Sequence, residues 1–351
     1  MTLGFLTACL PHMPLERIAA FASANGFQAL ELAAWPADSS RDYMARHVSA
    51  EAFMRDDAAR TREMLDRHGL RISALAYYDN HLHPDDALRS RYHEHLHKVI
   101  DAASMLGVGL VGTFIGSRPG TAKENIAAAA PLFREFLKYA SDRGVRLMIE
   151  NCPMPNWLTF GMPGNYAYSP ELWDVLFNEI PDPNLGLNFD PSHLFYLGID
   201  HERAAREYAS RIFHAHAKDA EMIPEGAYRY GVFSSQVDER GQAGWWRYRM
   251  PGKGSIDWAS FIRTLAEVGY RGTLSIEHED PEYEGSEERL MDGLKLSVEH
   301  LTHCLRSAEV GDAGRAGPGG AGAATAEPDV RIHDATSGQQ TPLEPVDRRD
   351  G

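Results

Sequence analysis

With 351 residues, 43% hydrophobic and 24% charged, the chain is long enough for one large α/β barrel or two smaller domains and has the make-up of a soluble globular enzyme. A formal net charge of −15 argues against a general affinity for nucleic acid or anionic membrane, both of which need surplus Lys and Arg. No run approaches the ~18 apolar residues of a membrane span. Three cysteines, Cys9, Cys152 and Cys304, form neither a disulfide framework nor a CxxC zinc motif, so a reducing, cytoplasmic compartment is expected.

The opening MTLGFLTACLPHM lacks the basic n-region of a signal peptide and reads as a first strand. Eight apolar, β-type runs follow one another at 3–10, 28–33, 71–77, 109–115, 145–150, 185–190, 212–217 and 273–277. Helix-like stretches separate them at 14–25, 49–68, 85–106, 121–143, 169–180, 201–210 and 257–268, several closed by the glycine that usually stops a helix. This alternation predicts a (β/α)8 TIM barrel, a single domain over 1–307. An open doubly wound sheet is the competitor, but no GxGxxG follows any strand. From 308 to 351 the chain is rich in Gly, Ala and Pro with few large apolar residues, and a disordered tail is expected. Two connections are long, 151–170 and 219–256, and both carry aromatic residues, among them Trp157, Trp245, Trp246 and Tyr248. Barrel loops of this length after strand ends are usually functional.

Four of the runs end on an ionisable residue: LMIEN, LNFDPSH, FHAHAKD and LSIEHED place Glu150, Asp190, His216 and Glu277 at strand ends. Barrel active sites form at those ends. Three carboxylates and an imidazole suit a hard or borderline divalent ion such as Mn²⁺, Mg²⁺ or Co²⁺. Burying such groups is expensive unless they are paired or bound to metal. For any one of them alone, a helix cap or salt bridge is the simpler reading; the four together argue for one site. Alternation places Asn188, His214 and Ser275 directly beneath them, as a supporting polar layer. His193 and Lys218 are candidate substrate contacts, each with an alternative as a cap or salt-bridge partner. Asn151, Trp157, Arg249 and His83 complete the candidate substrate set. His93, His95 and His97 read as a solvated helix face. Glu150 and Glu277, flanking a bound carbonyl, could move a proton at the adjacent carbon while a metal stabilises the enediolate. No organic cofactor is called for, and no Ser-His-Asp order or GxSxG elbow appears.

With IEN at 149–151, DPSH at 190–193, HAKD at 216–219, RYRMPGKGSIDW at 247–258 and IEHED at 276–280, the chain resembles the xylose-isomerase-like TIM barrel superfamily, in particular its sugar phosphate isomerase/epimerase proteins, over about 3–305. The resemblance implies metal-ligand roles for Glu150, Asp190, His216 and Glu277, a substrate role for His193, and an acid–base role for Glu150 and Glu277. It departs from the ketose 3-epimerases at Asn156, where those carry a glutamate, and in a longer loop over 219–256. The implied partner is a small carbohydrate; the chain could also pair with itself, as related barrels often do. The implied activity is a metal-dependent isomerase or epimerase. A metal-dependent lyase or hydratase on keto-sugars or 3-keto-glycosides is the alternative, and a non-catalytic sugar-binding barrel a third reading.

Overall fold

The computed structural model describes residues 1–37, 45–155, 163–232 and 244–313. Its strands are β1 (Thr2–Leu6), β2 (Ala29–Ala33), β3 (Arg71–Ala76), β4 (Leu110–Thr113), β5 (Arg146–Glu150), β6 (Leu185–Phe189), β7 (Ile212–Ala217), β8 (Asp219–Met222), β9 (Trp246–Arg249) and β10 (Thr273–Ile276). Most of these strands are buried along much of their length, as strands covered by helices outside and packed side chains inside must be. The strands β1 to β7 and β10 pair in parallel and close into a barrel in the order β1-β10-β7-β6-β5-β4-β3-β2. The (β/α)8 expectation therefore holds. Aromatic and aliphatic side chains such as Phe5, Phe133, Phe136, Trp173, Phe189 and Phe261 fill the layer between strands and helices.

The helices are α1 (Leu15–Ala24), α2 (Arg55–Arg67), α3 (Asp86–Leu106), α4 (Ala122–Ser141), α5 (Pro170–Glu179), α6 (Pro191–Tyr196), α7 (His201–Glu207), α8 (Pro224–Tyr230), α9 (Trp258–Glu267) and α10 (Glu287–Ala313). Local chemistry sets their ends. Thr121 and Glu124 form a capping box on α4, and Asp85 accepts from Leu88 N at 2.9 Å to start α3. Gly107 stops α3 in the left-handed region, which glycine enters without steric penalty.

Some expectations are corrected. The first strand ends at Leu6, and a 3-10 turn over Thr7–Cys9 lets the Thr7 hydroxyl accept from Ala33 N at 3.0 Å. The expected helix at 49–68 divides into a 3-10 turn, Ala50–Ala52, and α2, whose start is held by Asp57 accepting from Met54 N. The helix α10 runs to Ala313, past the expected start of the tail at 308; the remainder of that tail lies outside the described residues. His95 is 4% exposed and bonds Ala34 O at 2.7 Å, so it is a core residue rather than part of a solvated face. Among the described residues of the long connection after β7, β8 and β9 pair as an antiparallel hairpin. The Asp219 carboxylate anchors that hairpin by accepting from the backbone of Ala220, Gly252, Gly254 and Ile256 and from the Trp258 indole. A Cβ on Gly254 would stand 2.2 Å from that carboxylate, which only glycine avoids.

Candidate metal centre

The C-terminal mouth of the barrel gathers the strand-end residues. Glu150 ends β5, Asp190 follows β6 and caps α6 by accepting from Ser192 N at 2.8 Å, His216 sits on β7, and Glu277 follows β10. Glu150, Asp190, His193 and Glu277 each present a ligand atom within 4.8 Å of the others. The Nδ1 atom of His216 lies 3.4 Å from Glu150 and 3.1 Å from Glu277. His193 thus stands as close to the carboxylates as His216 does, its Nε2 3.3 Å from both Glu150 and Asp190.

The crowding has electrostatic consequences. Burial opposes the charge on Glu277, but the Lys218 ammonium and His216 outweigh it and hold the carboxyl far below its usual range. Burial and the Glu277 carboxylate both push Glu150 up; the His193 and His216 rings beside it bring it below its ordinary value. Burial likewise opposes charge on His216, and Glu31 and Glu277 raise its pKa well above that of a free imidazole. Lys218, 1% exposed, places Nζ at 2.6 Å from Glu277, 3.2 Å from Glu279 and 3.3 Å from Asp190, and lies over the Tyr248 ring.

Two buried atoms of this cluster lack a hydrogen-bond partner, Asp190 Oδ2 and His216 Nδ1. Both have charged neighbours, Asp190 Oδ2 at 3.3 Å from His193 and Lys218 and His216 Nδ1 at 3.1 Å from Glu277, yet buried polar atoms are almost always hydrogen-bonded, so two that are not need an explanation. A divalent cation provides one, because the donor set is carboxylate oxygen with imidazole nitrogen. The residues present fit such an ion.

A second polar layer lies just below. Glu31, in the middle of β2, is fully buried and was not singled out in the sequence. Its Oε2 lies 2.9 Å from His216 Nε2 and accepts from Ser275 at 2.7 Å, while Oε1 accepts from the Tyr78 hydroxyl at 2.9 Å. Asn188 donates to Tyr78 at 2.6 Å and lies 3.0 Å from His214 Nδ1, whose ring reaches Ser73 at 3.1 Å. The expected supporting residues Asn188, His214 and Ser275 are all here. A glutamate flanked by leucines on a strand buried on both faces was the available signal for Glu31.

The other expected residues fall in different places. Asn151 exchanges two hydrogen bonds with the Asp190 backbone, at 2.7 and 2.8 Å, tying the ends of β5 and β6 together. The Arg249 guanidinium is taken by Asp280, Glu221 and Glu282 at 3.0, 2.7 and 2.9 Å, so the structure uses it to brace the hairpin. His83 accepts from Asp85 N at 3.0 Å in the turn before α3, apart from the carboxylates. Trp157 lies outside the described residues. Of the aromatic hairpin residues, Trp246 stacks on Tyr196 with ring centroids 3.7 Å apart, and the Tyr248 hydroxyl meets His193 Nδ1 at 3.1 Å. The hairpin therefore closes over α6 and touches the site through His193.

The comparisons agree with this architecture. Residues 19–301 match the family model described as xylose isomerase-like TIM barrel. The chain is 26% identical over 331 residues to the protein YfiH of Bacillus subtilis, covering 87% of this chain and 99% of that protein. It is 26% identical over 218 residues to inosose isomerase of Bacillus licheniformis, covering 61% of this chain and 68% of that enzyme. Among solved structures, the IOLI protein with a bound zinc atom superposes with a TM-score of 0.60 at 20% identity, covering 89% of this chain and 97% of the other. That likeness shows the shared fold. The chain belongs to the xylose isomerase-like TIM barrel family.

Proposed function

We propose that this chain is a divalent-metal-dependent sugar isomerase or epimerase that transfers a proton at a carbon next to a carbonyl. The observation that carries the reading is the pair of orphaned atoms, Asp190 Oδ2 and His216 Nδ1, set among Glu150 and Glu277 at the barrel mouth. Glu150, Asp190, His216 and Glu277 would hold the ion: the three carboxylates converge together with His193, and His216 Nδ1 reaches Glu150 and Glu277 from below. Bound there, Mn²⁺ by first choice, or Mg²⁺, Co²⁺ or Zn²⁺, supplies the positive charge that acidifies the carbon beside a carbonyl.

The chain's own groups do the rest. Glu150 and Glu277 come from strands that are not neighbours in the barrel, so one, ionised, can take a proton from one face of a carbon while the other, protonated, gives its own proton to the opposite face, and exchange with solvent resets the pair. Both stand below their ordinary values in the free site, which suits the accepting carboxylate; the giving one takes up its proton from solvent before each turnover. Lys218 presents ammonium protons to substrate oxygens while neutralising Glu277 and Asp190. His193, steadied by Tyr248, is a second donor toward a hydroxyl. The likeness to inosose isomerase supports a polyhydroxylated keto-substrate, and the zinc-bound IOLI neighbour supports a metal.

The test is incubation of the Mn²⁺-loaded protein with a panel of keto-sugars in D₂O. Deuterium retained at a single carbon without other mass change supports isomerisation or epimerisation. Loss of water or an aglycone assigns elimination by the same carboxylates. Absence of exchange into every substrate, with metal bound, contradicts the proposal.

A further inference from the structure

Beneath the candidate centre, one carboxylate decides which nitrogen of His216 is offered upward. We propose that Glu31 is a positioning residue that makes His216 a ligand through Nδ1; this rests on the metal reading of the site given above. A carboxylate can only accept, so Glu31 Oε2, 2.9 Å from His216 Nε2, places the ring proton on Nε2. In the free site Glu277, 3.1 Å from Nδ1, favours a proton there as well; a cation among the carboxylates would displace that one, while the Nε2 proton stays directed at Glu31 and the lone pair is left on Nδ1. That atom faces Glu150 and Glu277 and has no hydrogen-bond partner. Asn188 Nδ2 also lies 2.9 Å from Nε2, but an ionised carboxylate is the stronger partner of the two, and that amide already donates to Tyr78.

Glu31 cannot turn away from this task. Tyr78 holds Oε1, Ser275 holds Oε2, and Asn188 holds the Tyr78 phenol. The phenol has room only because residue 112 on β4 is glycine: a Cβ there would stand 2.3 Å from its oxygen. The carboxylate is therefore fixed by groups from several parts of the barrel wall, while His216 is buried completely. Glu31, His214 and His216 also lie close enough together to suggest a second cation site. The lone pairs such a site would need are already used, since both carboxylate oxygens of Glu31 and both ring nitrogens of His214 have partners. The lower cluster is a support for the upper one.

The experiment is a Co²⁺ titration by calorimetry on four proteins: wild type, Glu31→Gln, His216→Ala and the double variant. Glutamine is nearly isosteric, and its amide can donate to Nε2 and shift the ring proton to Nδ1. Loss of such a support typically weakens metal binding by about 10–100-fold, and that is the fall expected for Glu31→Gln. In the His216→Ala background the same substitution should change affinity by less than about two-fold, because its effect travels through the imidazole. Wild-type affinity in Glu31→Gln, or an equal loss in both backgrounds, overturns the proposal. Should Glu31→Gln not fold, Tyr78→Phe replaces it in the same cycle. It frees one side of the carboxylate and should weaken Co²⁺ binding only where His216 is present; an equal loss in both backgrounds is again fatal. A wild type that binds no Co²⁺ overturns the metal reading itself, an outcome distinct from a failed coupling.

Discussion

Two buried polar layers lie one above the other in this barrel, and they differ in how completely their atoms are paired. In the lower layer, Glu31, Tyr78, Asn188, His214 and Ser275 satisfy one another through hydrogen bonds of 2.6 to 3.0 Å. In the upper layer, Glu150, Asp190 and Glu277 crowd like charges together, and Asp190 Oδ2 and His216 Nδ1 have charged neighbours at 3.1 to 3.4 Å but no hydrogen-bond partner. The lower layer is fully buried and the upper one nearly so, Glu277 being 14% exposed; the larger difference is in satisfaction. A saturated network of this kind rigidifies a core, whereas an unsatisfied one marks a place where something else completes the set. His216 belongs to both layers, with one nitrogen in each.

The difference can be broken from either side. Glu277→Gln in the upper layer should lower turnover by about 10²–10⁴-fold, the range for removing a positioned acid–base group. Full activity with metal bound would remove Glu277 from the proton transfer. Asn188→Ala in the lower layer should act on stability: it leaves Tyr78 and His214 short of buried partners and should lower the unfolding free energy by about 3 kcal/mol. Denaturant unfolding of the metal-free protein measures it, and a loss under about 1 kcal/mol would mean the layer is less tightly coupled than its geometry indicates.

The lower layer also has a pH signature. Burial pushes the pKa of His214 from 6.5 down to about 4, so the native state binds fewer protons than the unfolded chain between those values. Its contribution is present above pH 6.5 and is lost as pH falls toward 4, by roughly 3 kcal/mol in all. Unfolding measured at steps across that window should show the slope, and His214→Gln should flatten it. An unchanged slope in the variant would place the titration elsewhere. The smallest effect is expected at the hairpin. Trp246→Ala removes the stack on Tyr196, and since such pairs are worth about 0.5–1.5 kcal/mol, KM should rise several-fold with kcat within about two-fold. A fall in kcat comparable to that of Glu277→Gln would move the hairpin into the chemistry.

Much of the upper layer was legible because its residues end apolar runs, where an ionisable side chain is conspicuous. The polar residues directly beneath followed from strand alternation, which correctly grouped Asn188, His214 and Ser275. Glu31 escaped because it sits mid-strand in ALELA, where a lone glutamate looks like an outward-facing position. Its inward placement depends on how a strand sits in the closed barrel, a non-local fact. Tyr78 was hidden because it lies in the connection after β3, and its hydroxyl meets Glu31 only once β3 pairs beside β2 and the chain turns inward. The hairpin of β8 and β9 read as a plain loop because its strands pair across a long insertion, and Arg249 read as a substrate contact because its three carboxylate partners come from distant segments.

The most direct test of the account is the metal content of the purified protein beside the Glu150→Ala and His216→Ala variants. The account predicts about one Mn²⁺, Co²⁺ or Zn²⁺ per chain in the wild type as purified and far less than one in both variants, whose weakened sites lose the ion during purification but still take up Co²⁺ when it is titrated in. A metal-free protein that gains no thermal stability on addition of any of these ions would contradict it.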